Sequence, residues 1–412
     1  MSDLLRPLKF KSQETLQRIM MDYWTELAQA KASGKLVALC SPLFPVDILN
    51  AMDFITVANE NRAATCGAAG VSTELCKIAE EQGYSLDICS YARTDIGLAL
   101  GSDRVKTPIA FPKPDIILIS SQCYTVYKWC ENLGRLLDVP VVLVEIPRVS
   151  AGAGQEVIAS ARNYVKEQLL ELITYLEGFT GRKFNYDRLS ESLENTRRMT
   201  ELFNDIQETG KKMPSPITAF DLLIHLFPMM AMRGKPEGLA YYEQFKAEAV
   251  ERAAQKVAAI PDERFRIHFH VVPPWFLLRK LYSKFASAGV CPVTFFYGLV
   301  FKFEGLDPAR PIDSITETYV ESLLNVAPIQ SVDAIAELME DYHLDGAVFQ
   351  QLRSCKAVFH PFRELAELVG KQTGLPSMTY ESDMCDVRMH SDAHVDARIE
   401  TFIELLESRA QQ

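Results

Sequence analysis

Cysteines offer the most distinctive chemistry in this sequence. The chain has 412 residues, of which nine are cysteine. Soft thiolates bind iron–sulfur clusters or zinc, and three or four of them are needed to hold a cubane. Cys40, Cys89, Cys123 and Cys355 lie at the ends of predicted strands or before a predicted helix, so they could hold a cluster. The compact CxxC spacing of ferredoxins is absent from the sequence. The alternative to a cluster site is that all nine cysteines are small hydrophobic residues packed in the core.

The other five cysteines have the sequence context of packed residues. Cys76 and Cys130 occupy apolar helical positions, and Cys291 begins a buried strand. Cys66 lies in a predicted loop of small residues, and Cys385 follows the last predicted strand. An odd number of cysteines without an export signal argues against a disulfide framework. We expect these five thiols to be structural.

Eight short apolar runs predict the strands that must position these thiols. The runs are Leu36–Cys40, Phe54–Ala58, Asp115–Ser120, Val139–Ile146, Arg266–Val272, Val290–Tyr297, Gly346–Gln350 and Pro376–Glu381. Amphipathic stretches between them, such as 72–82 and 124–137, give the alternation of βαβ units. The sequence predicts an α/β fold with two Rossmann-like parallel-sheet domains, residues 1–150 and 259–412, joined by a helical connector, residues 151–258. Because ligands bind beyond the carboxyl ends of such strands, thiols from both halves could converge on one cleft.

Composition excludes several classes of protein. Hydrophobic residues make up 48% and charged residues 24%, as in folded soluble proteins. The net charge of −11 argues against a nucleic-acid partner, although a local basic pocket could still receive an anionic ligand. The longest apolar stretch, Leu222–Met232, is far shorter than the roughly 20 residues of a membrane-spanning helix. The N-terminus lacks the pattern of a secretory signal, so we expect a cytoplasmic protein without a membrane partner.

Short segments spread along the chain resemble those of a known family. They read GYSLDICSYARTDIG, CYTVYKW, TGRKFNYDRL, PSPITAFDL, PPWFLL, LRSCK and DARIETFIELLE. In this order, from about Gly34 to Glu407, they are similar to the 2-hydroxyacyl-CoA dehydratase and benzoyl-CoA reductase family. The resemblance implies Rossmann-like domains, a homologous second subunit, an acyl-CoA substrate and an oxygen-sensitive [4Fe-4S] cluster. By the same resemblance, Cys89, Cys123 and Cys355 are its three ligands.

The resemblance also implies a mechanism. In this family a cluster delivers one low-potential electron to a thioester carbonyl, and the resulting ketyl radical either expels a hydroxyl group or leads to reduction of an aromatic ring. A separate ATP-hydrolysing iron–sulfur activator protein supplies the electron. The sequence contains no GxxxxGK[ST] phosphate loop, so that activator must be another chain.

Departures from the dehydratase pattern favour the reductase branch. The paired cysteine and asparagines around the second ligand are replaced here by Ser120–Tyr124, and Cys40 stands where dehydratases tend to have serine. The segment Glu381–Arg388 and the PPW at Pro273–Trp275 look closer to benzoyl-CoA reductase subunits. We therefore predict the reductase type, with 2-hydroxyacyl-CoA dehydration and a non-catalytic electron-relay subunit as alternatives. Cys40 is either a fourth cluster ligand or a buried thiol.

Two charged residues are candidates for roles beside the cluster. Glu60, in a predicted loop after the second strand, could be the acid–base group that supplies a proton with each electron, or a helix-capping carboxylate. Arg93 could bind the cluster or the CoA phosphates, or form a structural ion pair. We expect Trp129 to pack over the cluster rather than to react.

The histidines and one glycine pair give weaker signals. His268 with His270 and His390 with His394 have spacings seen in zinc sites, but no third ligand accompanies either pair. We prefer the alternative in which one histidine is a proton donor, and the candidates are His268, His270, His360 and His390. The Ala151–Gly154 segment lacks the third glycine of a dinucleotide-binding loop, so we do not expect nicotinamide binding.

Overall fold

The N-terminal half of the protein contains a parallel four-stranded sheet. The computed structural model describes residues 9–101, 103–150, 152–325, 331–356 and 362–411. The strands of the first sheet are β1 (Val37–Cys40), β2 (Ile55–Ala58), β3 (Ile116–Ser120) and β4 (Val141–Val144). Their order in the sheet is β2-β1-β3-β4, and every pairing is parallel.

The C-terminal half repeats this arrangement. Its strands are β5 (Phe265–His270), β6 (Val290–Phe295), β7 (Gly346–Leu352) and β8 (Ser377–Ser382). They pair in parallel in the order β6-β5-β7-β8, so the first strand again lies between the second and the third. In such sheets the connections diverge between the first and third strands and leave a crevice beyond their carboxyl ends. The two crevices therefore lie after β1 and β3 and after β5 and β7.

Helices cover the sheets and connect them. The helices of the first half are α1 (Ser12–Gln29), α2 (Val46–Asn50), α3 (Asn59–Ala68), α4 (Ser72–Glu81), α5 (Ser90–Gly101) and α6 (Tyr124–Leu137). The helices between the sheets are α7 (Gln155–Thr180), α8 (Tyr186–Thr209), α9 (Ala219–Ile224), α10 (Phe227–Ala231) and α11 (Pro236–Ala254). The helices of the second half are α12 (Leu278–Ser287), α13 (Phe296–Val300), α14 (Pro311–Val320), α15 (Ser331–Asp341), α16 (Phe362–Thr373) and α17 (Asp392–Ala410).

The predicted fold class is confirmed. Each of the eight apolar runs forms a strand, as is typical of parallel strands that helices cover on both faces. The largest difference in bounds is at β4, which is half-buried and shorter than the predicted 139–146. One hydrophobic core contains residues of both sheets and of the helices between them. The division at residues 150 and 258 therefore stays a prediction.

Close packing of α5 against α4 fixes the helix that follows Cys89. A Cβ placed on Gly97 of α5 would lie 1.9 Å from the carbonyl oxygen of Leu75 in α4, which is backbone and cannot move aside. Gly97→Ala is therefore expected to destabilise the protein by about 1–3 kcal/mol or more, measured as a lower urea midpoint. The matched control is Gly178→Ala in α7, where a Cβ meets nothing within 4 Å. There we expect stabilisation by roughly 0.5–1 kcal/mol, and equal effects at the two positions would contradict the packing argument.

Candidate functional site

A cavity of about 70 Å³ lies at the carboxyl ends of both sheets. Ser41 and Ser120, at the ends of β1 and β3, line it from the first sheet. Val272 and Cys355, which follow β5 and β7, line it from the second sheet. The cavity thus occupies the crevices that the two strand orders create, and both halves of the chain contribute to its wall.

The three predicted cluster ligands, Cys89, Cys123 and Cys355, all line this cavity. Cys89 directly precedes α5, Cys123 directly precedes α6, and Cys355 follows β7. A hydrogen bond joins the neighbours of Cys89 and Cys355 across the two halves: the backbone N–H of Ser90 donates to Oγ of Ser354 at 3.0 Å. The structure therefore brings together thiols that are far apart in the sequence.

The electrostatics of these thiols indicate a need for positive charge. Burial raises the pKa of the Cys89 thiol well above its usual range, and negative charge on Cys355 and Cys123 raises it further. Burial also raises the pKa of Cys123, against the opposing effect of the backbone N–H of Val126. The thiols of Cys89 and Cys123 are therefore protonated unless a cation enters the cavity. Iron is such a cation and deprotonates a thiol that coordinates it, so this donor set fits an iron–sulfur cluster.

Cys40 does not join the other three thiols. It is 2% exposed, and its Sγ lies 3.6 Å from the carbonyl oxygen of Val57 on the neighbouring strand. Burial raises the pKa of its thiol to about 12. Ser41, the next residue, lines the cavity instead, because successive side chains of a strand point to opposite faces. In the structure Cys40 is a buried thiol that is not among the described residues lining the cavity, and its role as a fourth ligand stays a prediction.

The five cysteines expected to be structural are buried, as predicted. One detail of the prediction is wrong: Cys66 belongs to α3 and not to a loop. Cys385, after β8, places its Sγ 3.5 Å from the carbonyl oxygen of Ala63 in the same helix. Cys385 therefore packs the C-terminal half against α3, whereas Cys66 packs in a small apolar cluster with Leu75, Ile78 and Leu98.

Glu60 lines the cavity but is helical, which corrects the predicted loop. It lies in the first turn of α3, and Tyr297 donates a 2.8 Å hydrogen bond to its Oε2. Burial raises the pKa of the Glu60 carboxyl to about 7, against the opposing effect of that hydrogen bond. A carboxyl with this pKa can hold a proton near neutral pH and release it to a bound ligand. The acid–base role stays a prediction, now with a position in the cavity.

Arg93 lies in a buried ion-pair network, which is the structural alternative considered for it. Its side chain is fully buried, and its Nη1 lies 2.8 Å from Oδ2 of Asp386 and 2.5 Å from Oε1 of Glu80. Arg388 contacts the same two carboxylates from the protein surface. Arg93 is not among the described residues that line the cavity. Its side chain therefore joins α5 to the segment after β8 and contacts neither the predicted cluster site nor an open surface.

Trp129 packs on the cavity wall, as expected, and is held by a second buried ion pair. Its Nε1 donates to Oδ2 of Asp95 at 3.0 Å, and Arg62 lies 3.1 Å from the other oxygen of that carboxylate. Asp95 is fully buried and Arg62 nearly so. The indole ring is thus fixed between α3, α5 and α6.

The histidines do not form a metal site in the described part of the chain. His268 Nε2 lies 3.0 Å from His270 Nδ1, and burial lowers the pKa values of both rings, so both are neutral. His390 bonds to Asp392 at 2.8 Å, while His360 lies outside the described residues. Within the described ranges, no group of three His, Cys, Asp or Glu residues is arranged around a single metal ion. A cubane differs because its ligands bind separate iron atoms and stand farther apart.

Several cavity residues escaped prediction from the sequence. Tyr297, Tyr91, Ser41 and Gln122 line the cavity, yet none belongs to a recognisable metal or catalytic motif. Ser41 and Gln122 could have been found by their position directly after predicted strands. Tyr297 and Tyr91 could not, because their approach to the cavity depends on how the two halves pack. In the structure, Tyr91 accepts a 2.7 Å hydrogen bond from Nε1 of Trp275 in the other half.

Comparison with known proteins agrees with this geometry. The family profile described as "2-hydroxyglutaryl-CoA dehydratase, D-component" matches residues 43–406, which is most of the chain. The chain belongs to this family. The resemblance predicted from the short motifs is therefore confirmed, and so is the expectation of an enzyme of the dehydratase or reductase kind.

Curated relatives of the family include both kinds of enzyme. The chain is 27% identical over 404 residues to the (R)-2-hydroxyisocaproyl-CoA dehydratase alpha subunit of Clostridioides difficile, covering 97% of each chain. It is 26% identical to the lactoyl-CoA dehydratase subunit alpha of Anaerotignum propionicum, over 92% of this chain and 93% of the relative. It is also 26% identical to a benzoyl-CoA reductase subunit of Thauera aromatica, over 98% of this chain and 96% of the relative. Because the chain is almost equally identical to dehydratase and reductase subunits, these identities do not show which of the two reactions it belongs to.

Two further observations concern partners and surroundings. The curated relatives named above each carry the designation of a subunit. None of the helices in the described ranges has the length and hydrophobicity that a bilayer crossing requires.

Proposed function

We propose that the chain is the iron–sulfur subunit of an activator-dependent acyl-CoA enzyme of the benzoyl-CoA reductase type. The observation that carries this proposal is the convergence of Cys89, Cys123 and Cys355 on one cavity between the two sheets. These residues would hold a [4Fe-4S] cluster, which when bound supplies one low-potential electron to a thioester carbonyl. Three protein thiolates would leave one iron of such a cluster without a protein ligand, since Cys40 is not among the described residues that line the cavity.

The wall of the cavity favours a planar aromatic acyl group. Trp129, Phe296, Phe301, Tyr91 and Tyr297 all contribute to it. Aromatic rings pack against one another in offset or edge-to-face arrangements, which gives a flat acyl group good contact. Their bulk also excludes water, which would otherwise compete for a reactive radical and for the transferred proton. The chain's own contribution is therefore to bind and enclose the acyl group beside the thiolates.

Dehydration of a 2-hydroxyacyl-CoA is the second candidate, because one edge of the cavity is polar. Ser41 and Ser120 share a 3.0 Å hydrogen bond there, and Gln122 lies beside them. Such groups can hold a 2-hydroxyl substituent, and dehydratase subunits are among the relatives. The electron-relay alternative is less well supported, because a fully thiolate-ligated cluster would require Cys40.

The proposal includes two protein partners and a location in the cytoplasm. A homologous second subunit would complete the enzyme, and a separate ATP-hydrolysing iron–sulfur protein would supply the electron. Anaerobic purification of the chain with its co-purifying partners, followed by iron and sulfide analysis, tests the first part. Activator-dependent assays then compare ring reduction of benzoyl-CoA with loss of water from a 2-hydroxyacyl-CoA. A preparation without iron or acid-labile sulfide would refute the proposal, and loss of water without ring reduction would favour the second candidate.

Glu60 is proposed to provide the proton that accompanies each electron. Its carboxyl is protonated below its pKa of about 7, so activity that depends on the proton should fall as pH rises through that value. Glu60→Gln is expected to lower kcat by about 10²–10³-fold and to abolish this alkaline decline. The measurement is the pH dependence of kcat with activator in excess.

Tyr297→Phe provides the matched control for this prediction. The Tyr297 hydroxyl stabilises the carboxylate, so its removal raises the pKa of Glu60 and should move the alkaline decline to higher pH. If Tyr297→Phe lowers kcat at every pH but leaves the alkaline decline at the same pH, a group other than Glu60 is responsible for the decline.

A further inference from the structure

Gln122 is a buried residue whose side-chain amide has no partner. It follows β3 directly before the predicted ligand Cys123, lines the cavity and is 2% exposed. Neither its Nε2 nor its Oε1 has a hydrogen-bond partner among the described residues. A buried amide without partners costs free energy that folded proteins normally avoid, and such groups often mark a binding site.

The other buried polar side chains around the cavity are already engaged. Ser41 and Ser120 bond to each other, and Glu60 accepts from Tyr297. The Tyr91 hydroxyl accepts from Trp275. The amide of Gln122 is therefore available to a ligand without the loss of an existing hydrogen bond, whereas each of these other groups already makes at least one hydrogen bond.

We propose that Gln122 positions the substrate by donating a hydrogen bond from Nε2 to the carbonyl oxygen of the acyl thioester. This inference rests on the proposed function. A thioester carbonyl oxygen can only accept hydrogen bonds, so it matches Nε2 and not Oε1. Negative charge grows on the same oxygen when the carbonyl takes up an electron, and a hydrogen bond to a charged acceptor is the stronger one. The position of Gln122 next to Cys123 places this donor beside the predicted electron source.

The test compares ligands with and without the carbonyl oxygen. The complete enzyme, purified anaerobically with its partner, is titrated with benzoyl-CoA and with S-benzyl-CoA, a thioether that lacks this oxygen. A second pair, 2-hydroxyisocaproyl-CoA and the corresponding thioether, covers the dehydratase candidate. In each pair that binds, we expect the wild type to prefer the thioester by about tenfold in Kd. Gln122→Leu should bind both members of the pair with nearly equal Kd.

Two controls keep the result interpretable. Val126→Ala changes an apolar residue of the same wall and should alter the Kd values of thioester and thioether by the same factor. Iron content and the electron paramagnetic resonance spectrum of Gln122→Leu should match those of the wild type, which shows that the cluster site is intact.

Three outcomes would overturn the assignment. If Gln122→Leu retains the preference for the thioester, the amide does not contact the carbonyl oxygen. If it retains the preference but shifts the reduction potential, the amide donates to the cluster instead. If the wild type contains iron but binds neither acyl-CoA nor its thioether in either pair, the proposed function fails together with the assignment of Gln122. If the wild type contains no iron, the cluster is refuted independently of Gln122.

Discussion

Replacement of Cys89, Cys123 or Cys355 by alanine is expected to remove most of the iron from the anaerobically purified protein. The three thiols line one cavity, and two protein thiolates do not hold a cubane at useful affinity. Changes to groups that merely support metal ligands already weaken metal binding by about 10–100-fold, so loss of a ligand should cost more. Activity with any acyl-CoA should disappear with the iron. The measurement is iron and acid-labile sulfide per chain, with electron paramagnetic resonance of the reduced protein.

The other cysteines provide matched controls. Cys130 is fully buried in α6 and is not among the described residues that line the cavity, and Cys40 lies at the end of β1. Cys130→Ala and Cys40→Ala should retain iron, although each variant loses some packing. Iron loss in Cys40→Ala, with its circular dichroism spectrum unchanged, would show that Cys40 is a ligand after all. Retention of the cluster in all three variants of Cys89, Cys123 and Cys355 would refute the proposed site.

Arg93→Met is expected to destabilise the protein by about 3–5 kcal/mol. The arginine and its partner Asp386 are both fully buried, and among the described residues the substitution leaves the Asp386 carboxylate paired with Arg388 alone. Methionine has a similar length, so the loss of charge and hydrogen bonds dominates over loss of volume. The urea midpoint should fall accordingly, and Cys89 should lose protection from thiol reagents because Arg93 anchors the same helix.

Arg388→Met tests whether burial is the cause. Arg388 contacts Asp386 and Glu80 as Arg93 does, but about a third of its side chain is exposed. Its replacement should cost at most about 1 kcal/mol, since solvent compensates an exposed charge. Equal costs at the two positions would contradict the argument. A loss of CoA affinity in Arg93→Met without a loss of stability would instead restore the cofactor-binding role predicted from the sequence.

The fold was predictable because its strands are buried on both faces. Runs such as Ile116–Ser120 are apolar throughout, and the amphipathic stretches between them have helical period. Errors occurred where a residue follows a strand directly. The sequence predicts loops at Glu60 and Cys66, yet α3 begins immediately after β2 without a separate turn. Small residues in NENRAATCGA hid the helical pattern, since they pack closely without forming an apolar stripe.

The candidate site was predictable only in part. Residues that follow strands, such as Cys123 and Cys355, must lie at the carboxyl edge of a sheet whatever the rest of the fold does. The direction of a side chain at that edge could not be read from the sequence: Ser41 lines the cavity, whereas Cys40 before it does not. Contacts across the halves, such as Tyr297 with Glu60, depend on packing between residues 237 positions apart and have no local signature.

The distribution of the three thiols also bears on how such a protein is made. Cys89 and Cys123 belong to the half that leaves the ribosome first, whereas Cys355 comes after both the helical segment and most of the second sheet. Until that late strand has folded against its neighbours, a nascent chain offers only two of the three thiols. Metal loading would therefore be a final step, performed on a nearly finished molecule, and a truncated product would lack the third thiol.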